Sequence, residues 1–345
     1  MRDRFLLLII AISLLAATAL RAADTYHVVV SNERSGDLTV FAAPSHTVVA
    51  TIPVGKRPRG VRASADGRTV YVALSGSPIS GPPGRARPAD GKEEEKKADK
   101  SADGIGVVDL VSGRLLRTLT GGSDPEQLAL SRDGRLIYVT NEDVGTVSVI
   151  TSDHGRREQM IPVGEEPEGI ETSPDGAFVY VACETLGDIH VIDTVTHRVA
   201  ARFDVGGRPR TIAFSSDGRL ALIPSELGGR LQVVDAVRHR VLRSIPLPEG
   251  ALPMCVLFSA DDRRAFVSTG RGGTVCLVDV ENGAILWVAS VGHRPWGIAL
   301  SPDGRYLYAA NGPSNDVSVV ETETGREMAR LPAGTSPWGV AVVRR

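Results

Sequence analysis

The 345-residue sequence is poor in cysteine and in net charge, and each shortage excludes a class of protein. The three cysteines, Cys183, Cys255 and Cys276, are odd in number and too few for a disulfide framework. We expect them to be small buried side chains. No Cys-x-x-Cys-His motif is present, which excludes covalently attached c-type haem. The formal net charge of −2 gives no basic stripe, so we expect no nucleic-acid partner.

Common catalytic and metal-binding motifs are also missing. The sequence has no serine-nucleophile motif and no glycine loop of the phosphate-binding type. Its histidines are scattered, and no two of them have a ligand-like spacing on one loop, so no zinc site is expected. The histidines are His27, His46, His154, His190, His197, His239 and His293.

Long apolar runs are absent except near the N-terminus. Residues 5–15 are almost wholly apolar, and small residues follow up to Ala23. This pattern is typical of a secretory signal peptide, and we expect cleavage between Ala19 and Ala23. Residues 1–23 are therefore interpreted as the signal peptide of a periplasmic or secreted protein with no stable membrane span after cleavage. An uncleaved anchor is the alternative.

What the sequence does contain is one tripeptide frame, Pro-x-x, repeated seven times. Successive prolines are 67, 42, 42, 44, 42 and 42 residues apart, and a fixed period of this length indicates one repeated supersecondary unit. The frame prolines are Pro58, Pro125, Pro167, Pro209, Pro253, Pro295 and Pro337.

A single repeat, from Pro295 to Pro337, reads as four short strands. Alternating apolar residues predict strands over 296–301, 306–311, 317–320 and 327–331. Turn residues separate them, among them the Asp303-Gly304 pair, in which glycine accepts a positive φ. The Asp-Gly pair recurs in the other full repeats, except that Asp261-Asp262 takes its place after Pro253. Four antiparallel strands joined by such turns are typical of a propeller blade.

The two ends of the chain together supply the four strands of one blade. After Pro337 the sequence has room for one strand, and residues 27–30, 38–41 and 47–52 supply three more. The predicted fold class is therefore all-β: residues 24–345 form a seven-bladed β-propeller of four-stranded antiparallel blades, closed by pairing of N- and C-terminal strands. Closure removes the exposed sheet edge that an open array would have.

The blade after the first frame proline carries an insertion at about 75–103. The segment is rich in proline, glycine and charge, including residues 92–97, and cannot bury enough apolar surface to order itself. We expect a disordered loop. It is either a solvated connection or a functional lid or docking loop, since loops of this length in compact domains often carry function.

Equivalent positions of a closed repeat meet around its axis, so candidate site residues follow from the frame. The residue after each frame proline is expected at the rim of the channel: Arg59, Glu126, Glu168, Arg210, Met254, Trp296 and Trp338. Loops after second strands add Glu33, Glu142, Glu184 and Glu226, and His293 flanks a frame proline. Either these residues bind a small ligand, with Arg59 and Arg210 holding a carboxylate and the tryptophans stacking on it, or the rim charges pair with one another and the rings cap the core.

Several segments carry a family resemblance. Residues 138–141, Tyr-Val-Thr-Asn, followed by 147–150, resemble the YVTN-type propeller repeat, and 180–183 and 308–311 are looser copies. Together with residues 167–176, 208–229 and 311–319 and the closing Pro-Trp-Gly at 337–339, they resemble propeller proteins associated with pyrroloquinoline-quinone (PQQ)-dependent alcohol catabolism. The resemblance implies an exported accessory protein and possible partners: a quinoprotein alcohol dehydrogenase, a cytochrome c or a transporter component. It assigns no catalytic residue.

Three functions remain open at this stage. The first is a non-enzymatic propeller that binds a small molecule or a partner protein and is accessory to PQQ-linked alcohol oxidation or transport. The second is a lactonase-like hydrolase or lyase with a rim glutamate as general base. The third is a protein-interaction scaffold. PQQ and Ca²⁺ are the cofactors to consider, Ca²⁺ because several glutamates share one rim.

Overall fold

The computed structural model describes residues 25–79 and 98–344, which fold into seven four-stranded antiparallel sheets arranged in a ring. Apart from three short 3₁₀ segments, all regular structure in these ranges is β-strand. The predicted all-β, seven-bladed propeller is confirmed. No helix within the described ranges is long and apolar enough to cross a membrane. Residues 1–24, which include the expected signal peptide, lie outside the described residues.

The strands follow the repeat. The first three are β1 (Tyr26–Asn32), β2 (Asp37–Ala43) and β3 (Thr47–Pro53). Blade 1 comprises β4 (Val61–Ala63), β5 (Thr69–Leu74), β6 (Gly104–Asp109) and β7 (Arg114–Leu119). Blade 2 comprises β8 (Pro125–Leu130), β9 (Leu136–Asn141), β10 (Thr146–Thr151) and β11 (Arg157–Pro162). Blade 3 comprises β12 (Pro167–Thr172), β13 (Phe178–Cys183), β14 (Asp188–Asp193) and β15 (Arg198–Asp204).

The remaining blades have the same plan. Blade 4 comprises β16 (Ala213–Phe214), β17 (Leu220–Ser225), β18 (Arg230–Asp235) and β19 (Arg240–Pro246). Blade 5 comprises β20 (Val256–Phe258), β21 (Arg264–Ser268), β22 (Thr274–Asp279) and β23 (Ile285–Ser290). Blade 6 comprises β24 (Pro295–Leu300), β25 (Tyr306–Asn311), β26 (Asp316–Glu321) and β27 (Glu327–Pro332). The last strand is β28 (Pro337–Arg344), and the 3₁₀ segments are Lys100–Ala102, Glu142–Val144 and Gly270–Gly272.

Blade 7 is built from both ends of the chain, as predicted. Its strand order is β28-β1-β2-β3, and the innermost strand comes from the C-terminus. The register pairs Tyr26 with Arg344 and Asn32 with Pro337. The ring is therefore closed by backbone hydrogen bonds between segments some 300 residues apart in sequence.

The apolar core lies between blades rather than within them. Each of the seven core clusters combines residues from two neighbouring blades. The cluster between blades 6 and 7, for example, joins Tyr308 and Val317 to Val28 and Phe41. Both faces of the second and third strands are covered in this way, which explains their nearly continuous apolar sequences.

In four of the seven frames the third residue is glycine, and at these positions the innermost strands of adjacent blades approach very closely. A Cβ at Gly169 would lie 1.8 Å from the carbonyl oxygen of Arg210, and one at Gly339 would lie 2.7 Å from that of Arg59. Any larger residue would push the neighbouring backbone outward. The Pro-x-Gly form of the frame therefore reflects packing around the axis.

The cysteines, the Asp261-Asp262 turn and the ends of the insertion are all seen in the structure. All three cysteines are free, and Cys183 and Cys276 are fully buried. Asp262, which replaces the usual turn glycine, has φ 58°. The ends of the insertion are held together: the Asp99 amide donates to the carbonyl of Gly76 at 2.9 Å. Of the loop at about 75–103 that was expected to be disordered, residues 80–97 lie outside the described residues.

Candidate functional site at the channel mouth

One face of the ring, called here the mouth, is where innermost strands begin and second strands end. The backbone is strained there, since the residue before the frame proline has a left-handed conformation in six of the seven frames, with φ from 42° to 65°. These residues are Arg57, Asp124, Glu166, Arg208, Arg294 and Ser336. Strain of this kind costs about 1–3 kcal/mol for each residue and is concentrated at functional sites.

Arg59 occupies the centre of a buried charge cluster on the blade 1 and 2 side of the mouth. Its side chain is 4% exposed, and Nη2 donates to Oδ1 of Asp124 at 2.8 Å and to the carbonyl of Pro125 at 3.0 Å. Nη1 forms an ion pair with Glu126 and lies 3.6 Å from Oε2 of Glu142. Three carboxylates thus surround one guanidinium group.

Arg210 occupies the equivalent place in a second cluster, formed by blades 3 and 4. Its Nε and Nη2 donate to Oε2 of Glu226 at 2.7 and 2.5 Å, and Nη1 forms ion pairs with Glu168 and Glu184. Arg208 also pairs with Glu184 and lies 3.6 Å from Glu226. Arg210 is 4% exposed, so this network is desolvated as well.

The structure therefore brings most of the sequence-predicted rim residues together, but as partners of one another. The guanidinium groups of Arg59 and Arg210 are enclosed by carboxylates of the protein, as expected if rim charges pair among themselves. Neither guanidinium group is free to bind a ligand carboxylate through two parallel hydrogen bonds.

The two tryptophans also contact each other. The rings of Trp296 and Trp338 are stacked, with centroids 5.5 Å apart and an interplanar angle of 23°. The guanidinium carbon of Arg294 lies 4.5 Å from the Trp296 centroid, and that of Arg210 lies 5.8 Å from it. The aromatic pair is thereby joined to the Arg210 cluster through cation–π contacts.

Three predicted residues lie apart from these clusters or at their edge. Met254 is buried, and its amide donates to the carbonyl of Ser268. His293 is exposed, and its amide donates to Ser314. Glu33 accepts a hydrogen bond from Nε of Arg57 at 3.1 Å, which places it on the blade 7 side of the Arg59 cluster.

Sequence reasoning missed some members of the site. Asp124 was not singled out, although it accepts hydrogen bonds from Arg59 and from Ser75. Its position before a frame proline was the available signal. Arg57 and Arg208, by contrast, are indicated by the sequence, because they flank frame prolines in Arg-Pro-Arg at 57–59 and 208–210.

The electrostatic balance of the mouth is acidic. The ion pairs described above involve seven carboxylates and four guanidinium groups. Burial tends to raise the pKa of Asp124, but Arg59 and Ser75 hold it below its usual value. Burial raises the pKa of Glu142 despite the opposing effect of Arg59. Since its side chain is 37% exposed, Glu142 is a carboxyl group that can exchange protons with solvent.

The sequence suggested two cofactors, PQQ and Ca²⁺, and the charged side chains of the mouth bear on both. PQQ is a polycarboxylate and would require unpaired basic groups, whereas this surface has an excess of carboxylates. Ca²⁺ takes 6–8 oxygen ligands, but guanidinium groups stand between the carboxylates where such a cation would be placed. In this arrangement the residues of the mouth fit neither group.

An open groove adjoins the Arg59 cluster between blades 7 and 1. Its volume is about 310 Å³, at the lower end of the range for small-molecule sites. Its walls include one carboxylate, Glu33, and the basic side chains of Arg34, Lys56 and Arg57. A small molecule in this groove would therefore contact the charged rim directly.

Comparisons with known proteins agree with the fold. Residues 96–261 match the model of a family described as YNCE-like beta-propeller. No curated protein matches the chain.

Solved structures match over nearly the whole ring. The Pseudomonas aeruginosa periplasmic gluconolactonase is 22% identical, with 92% of this chain and 99% of that chain covered and a TM-score of 0.73. A Bacteroides fragilis protein provisionally assigned as a 6-phosphogluconolactonase is 19% identical, with coverages of 94% and 99% and a TM-score of 0.75. Kuenenia stuttgartiensis hydrazine synthase is 20% identical, with coverages of 84% and 95% and a TM-score of 0.68. At these identities the likeness concerns the fold alone.

Proposed function

We propose that the protein is an exported binding propeller that holds a small, neutral, hydroxyl-bearing molecule at the acidic mouth. The observation that carries the proposal is the excess of carboxylates fixed around Arg59 and Arg210, among which the side chain of Glu142 is 37% exposed at the mouth. Carboxylates accept hydrogen bonds from hydroxyl groups, and their positions are set by the buried arginines before any ligand arrives. Such preorganisation favours affinity because little order is lost on binding.

The acidic mouth is also compatible with an accessory role in an alcohol-oxidation system. An acidic mouth suits the alcohol or polyol substrate and repels the anionic quinone cofactor. The protein would then be accessory to such a system, delivering or sensing the substrate next to a dehydrogenase, a cytochrome c or a transporter. An interaction scaffold with no ligand is the competing function.

Binding is tested by a thermal-shift screen of the protein from residue 24 onward, followed by calorimetry with each compound that raises the melting temperature. The panel contains neutral polyols, sugar lactones, simple alcohols and PQQ. Glu142→Gln should weaken binding of a positive compound about 10- to 100-fold, the equivalent of a charge-assisted hydrogen bond of roughly 1.5–3 kcal/mol. Glu281→Gln, an exposed change in the turn between β22 and β23, is the matched control. A response to PQQ alone, or no response to any compound, would reject the proposal.

A second candidate, lactone hydrolysis, is favoured by the raised pKa of the half-exposed Glu142 and by the likeness to a gluconolactonase. As general base, the Glu142 carboxylate would take a proton from water as the water oxygen bonds to the lactone carbonyl. The acyl–oxygen bond then breaks, and the ring oxygen leaves as an alcohol after receiving that proton. Acid release from sugar lactones in a pH-stat, lost in Glu142→Gln but retained in Glu281→Gln, would establish this activity. Ligand binding without acid release would leave the binding function alone.

A further inference from the structure

The mouth ends of the second and third strands carry a recurrent polar triplet. In three blades an asparagine ends the second strand, and its Nδ2 donates to the first and third residues of the third strand at 2.7–2.9 Å. The triplets are Asn32–Asp37–Thr39, Asn141–Thr146–Ser148 and Asn311–Asp316–Ser318. Each one ties the second strand to the third inside the blade.

Blade 3 has Cys183, Asp188 and His190 at these three positions. The register places Cys183 opposite Asp188, and His190 lies two residues further along β14. Their exposures are 0%, 3% and 8%. The polar hydrogen-bonding residues of the other triplets have thus been replaced by a thiol, a carboxylate and an imidazole, all of them metal-ligand types.

The replacement leaves buried polar atoms without hydrogen bonds. Among the described residues, Oδ1 of Asp188 and both ring nitrogens of His190 have no hydrogen-bond partner. In each asparagine triplet only the side-chain oxygen of the asparagine, Oδ1, lacks a hydrogen-bond partner. Buried polar groups are almost always satisfied, so these three atoms are available to bind a ligand.

The distances suit a tetrahedral metal ion. One ligand atom from each of Cys183, Asp188 and His190 lies within 4.8 Å of the other two. Nε2 of His190 lies 3.5 Å from Oδ1 of Asp188. Two ligands of a tetrahedral zinc ion are about 3.3–3.6 Å apart, given bond lengths of roughly 2.0–2.3 Å. The imidazole–carboxylate spacing already meets this value.

The surroundings orient the triplet. Arg202 donates through Nε to the other oxygen of Asp188, Oδ2, and so turns Oδ1 towards His190. Gly164 gives space to the thiol, since a Cβ there would lie 3.0 Å from Sγ of Cys183. A partner that fixes a ligating carboxylate is a usual feature of metal sites.

We propose that Cys183, Asp188 and His190 bind one Zn²⁺ ion, with water as the fourth ligand. Thiolate and imidazole ligands favour zinc over Ca²⁺ or Mg²⁺. Cys183 gives up its thiol proton on binding. The next residue is Glu184, which pairs with Arg208 and Arg210, so the ion anchors the strand end from which the Arg210 cluster is built.

The test uses the protein from residue 24 onward, stripped with a chelator and titrated with Co²⁺ and then with Zn²⁺. One equivalent of Co²⁺ should bind and give the thiolate-to-cobalt charge-transfer absorption, which Zn²⁺ then abolishes. Cys183→Ser should lose this absorption, whereas Cys276→Ser, at the equivalent position of blade 5 to His190, should retain it. Absence of the absorption in the wild-type protein, or its persistence in Cys183→Ser, would overturn the proposal.

A second variant separates metal binding from folding. The triple change Cys183→Asn, Asp188→Thr and His190→Ser copies the hydrogen-bonded triplet of blade 2. It should fold, bind no Co²⁺, and show no rise in melting temperature on addition of Zn²⁺. The wild-type melting temperature should rise with Zn²⁺ and return with chelator. Equal metal content in the triple variant and the wild type would place the metal elsewhere and reject this site.

Discussion

The hydroxyl of Tyr180 in blade 3 lies 2.7 Å from Nδ1 of His239 in blade 4. The relationship recurs in blades 6 and 7, where the Tyr308 hydroxyl lies 2.9 Å from Nε2 of His46. Each tyrosine belongs to a second strand, and each histidine occupies the turn between the third and fourth strands of the next blade, with φ of 51° and 57°. The tyrosines of the YVTN-like segments thus link neighbouring blades through strained turns.

The first prediction concerns pH. Burial lowers the pKa of His239 and of His46 below the ordinary value. The unfolded chain then binds protons more readily than the folded one, so stability that is fully present above the unfolded pKa of about 6.5 is lost as the pH falls from there through the lowered folded-state pKa. The melting temperature should fall between about pH 7 and pH 5. His239→Gln should flatten this dependence, whereas His154→Gln, on an exposed turn, should leave it unchanged.

The second prediction concerns the same link. Tyr180→Phe removes a buried hydroxyl that contacts both His239 and the carbonyl of Ala236. The free energy of unfolding should fall by about 1–3 kcal/mol, because buried partners are left unsatisfied. Denaturant titration measures the change. Tyr138→Phe should cost less, since Tyr138 meets His197 through a ring contact at 6.5 Å, and equal losses would argue against the hydroxyl as the cause.

The third prediction concerns Arg210. Arg210→Met leaves Glu168, Glu184 and Glu226 together in a desolvated place, and breaking a buried ion pair in this way costs about 3–5 kcal/mol. Urea titration measures the loss. Arg219→Met, which removes an exposed ion pair with Asp217, should be nearly neutral, and a similar effect of both changes would contradict the role assigned to Arg210.

The fourth prediction concerns closure. Removal of residues 336–345 deletes β28, the innermost strand of blade 7, and exposes β1 together with the cores on both sides of that blade. The protein should become insoluble or melt at a much lower temperature. Removal of residues 344 and 345 alone should have little effect. A shortened chain that melts like the full one would show that the ring does not depend on this strand.

Local sequence was sufficient for the fold because each strand and turn of a blade is encoded within about 42 residues. Observed strands such as Tyr306–Asn311 therefore coincide with the predicted ones. Repeat equivalence was also sufficient to place Arg59 and Arg210 near the axis. Their carboxylate partners depend on side-chain conformations and on the meeting of neighbouring blades, which no single repeat encodes.

The blade 3 triplet escaped the sequence analysis for a different reason. Only spacings between histidines were considered, whereas Cys183, Asp188 and His190 come from two strands of a hairpin. Comparing the same position across repeats would have found it, since His190 stands where other blades have Thr39, Ser148 and Ser318.

The pairing of Tyr26 with Arg344 has a consequence for how the propeller is presented to its surroundings. These residues lie at the ends of β1 and β28 remote from Asn32 and Pro337, and Gly67 of a blade 1 turn lies beside Arg344 on that far side. Anything joined to residue 25 or residue 344 therefore leaves from the face opposite the mouth. A tether at either end would hold the acidic mouth pointing away from the surface to which the protein is attached, open to molecules arriving from the surrounding medium.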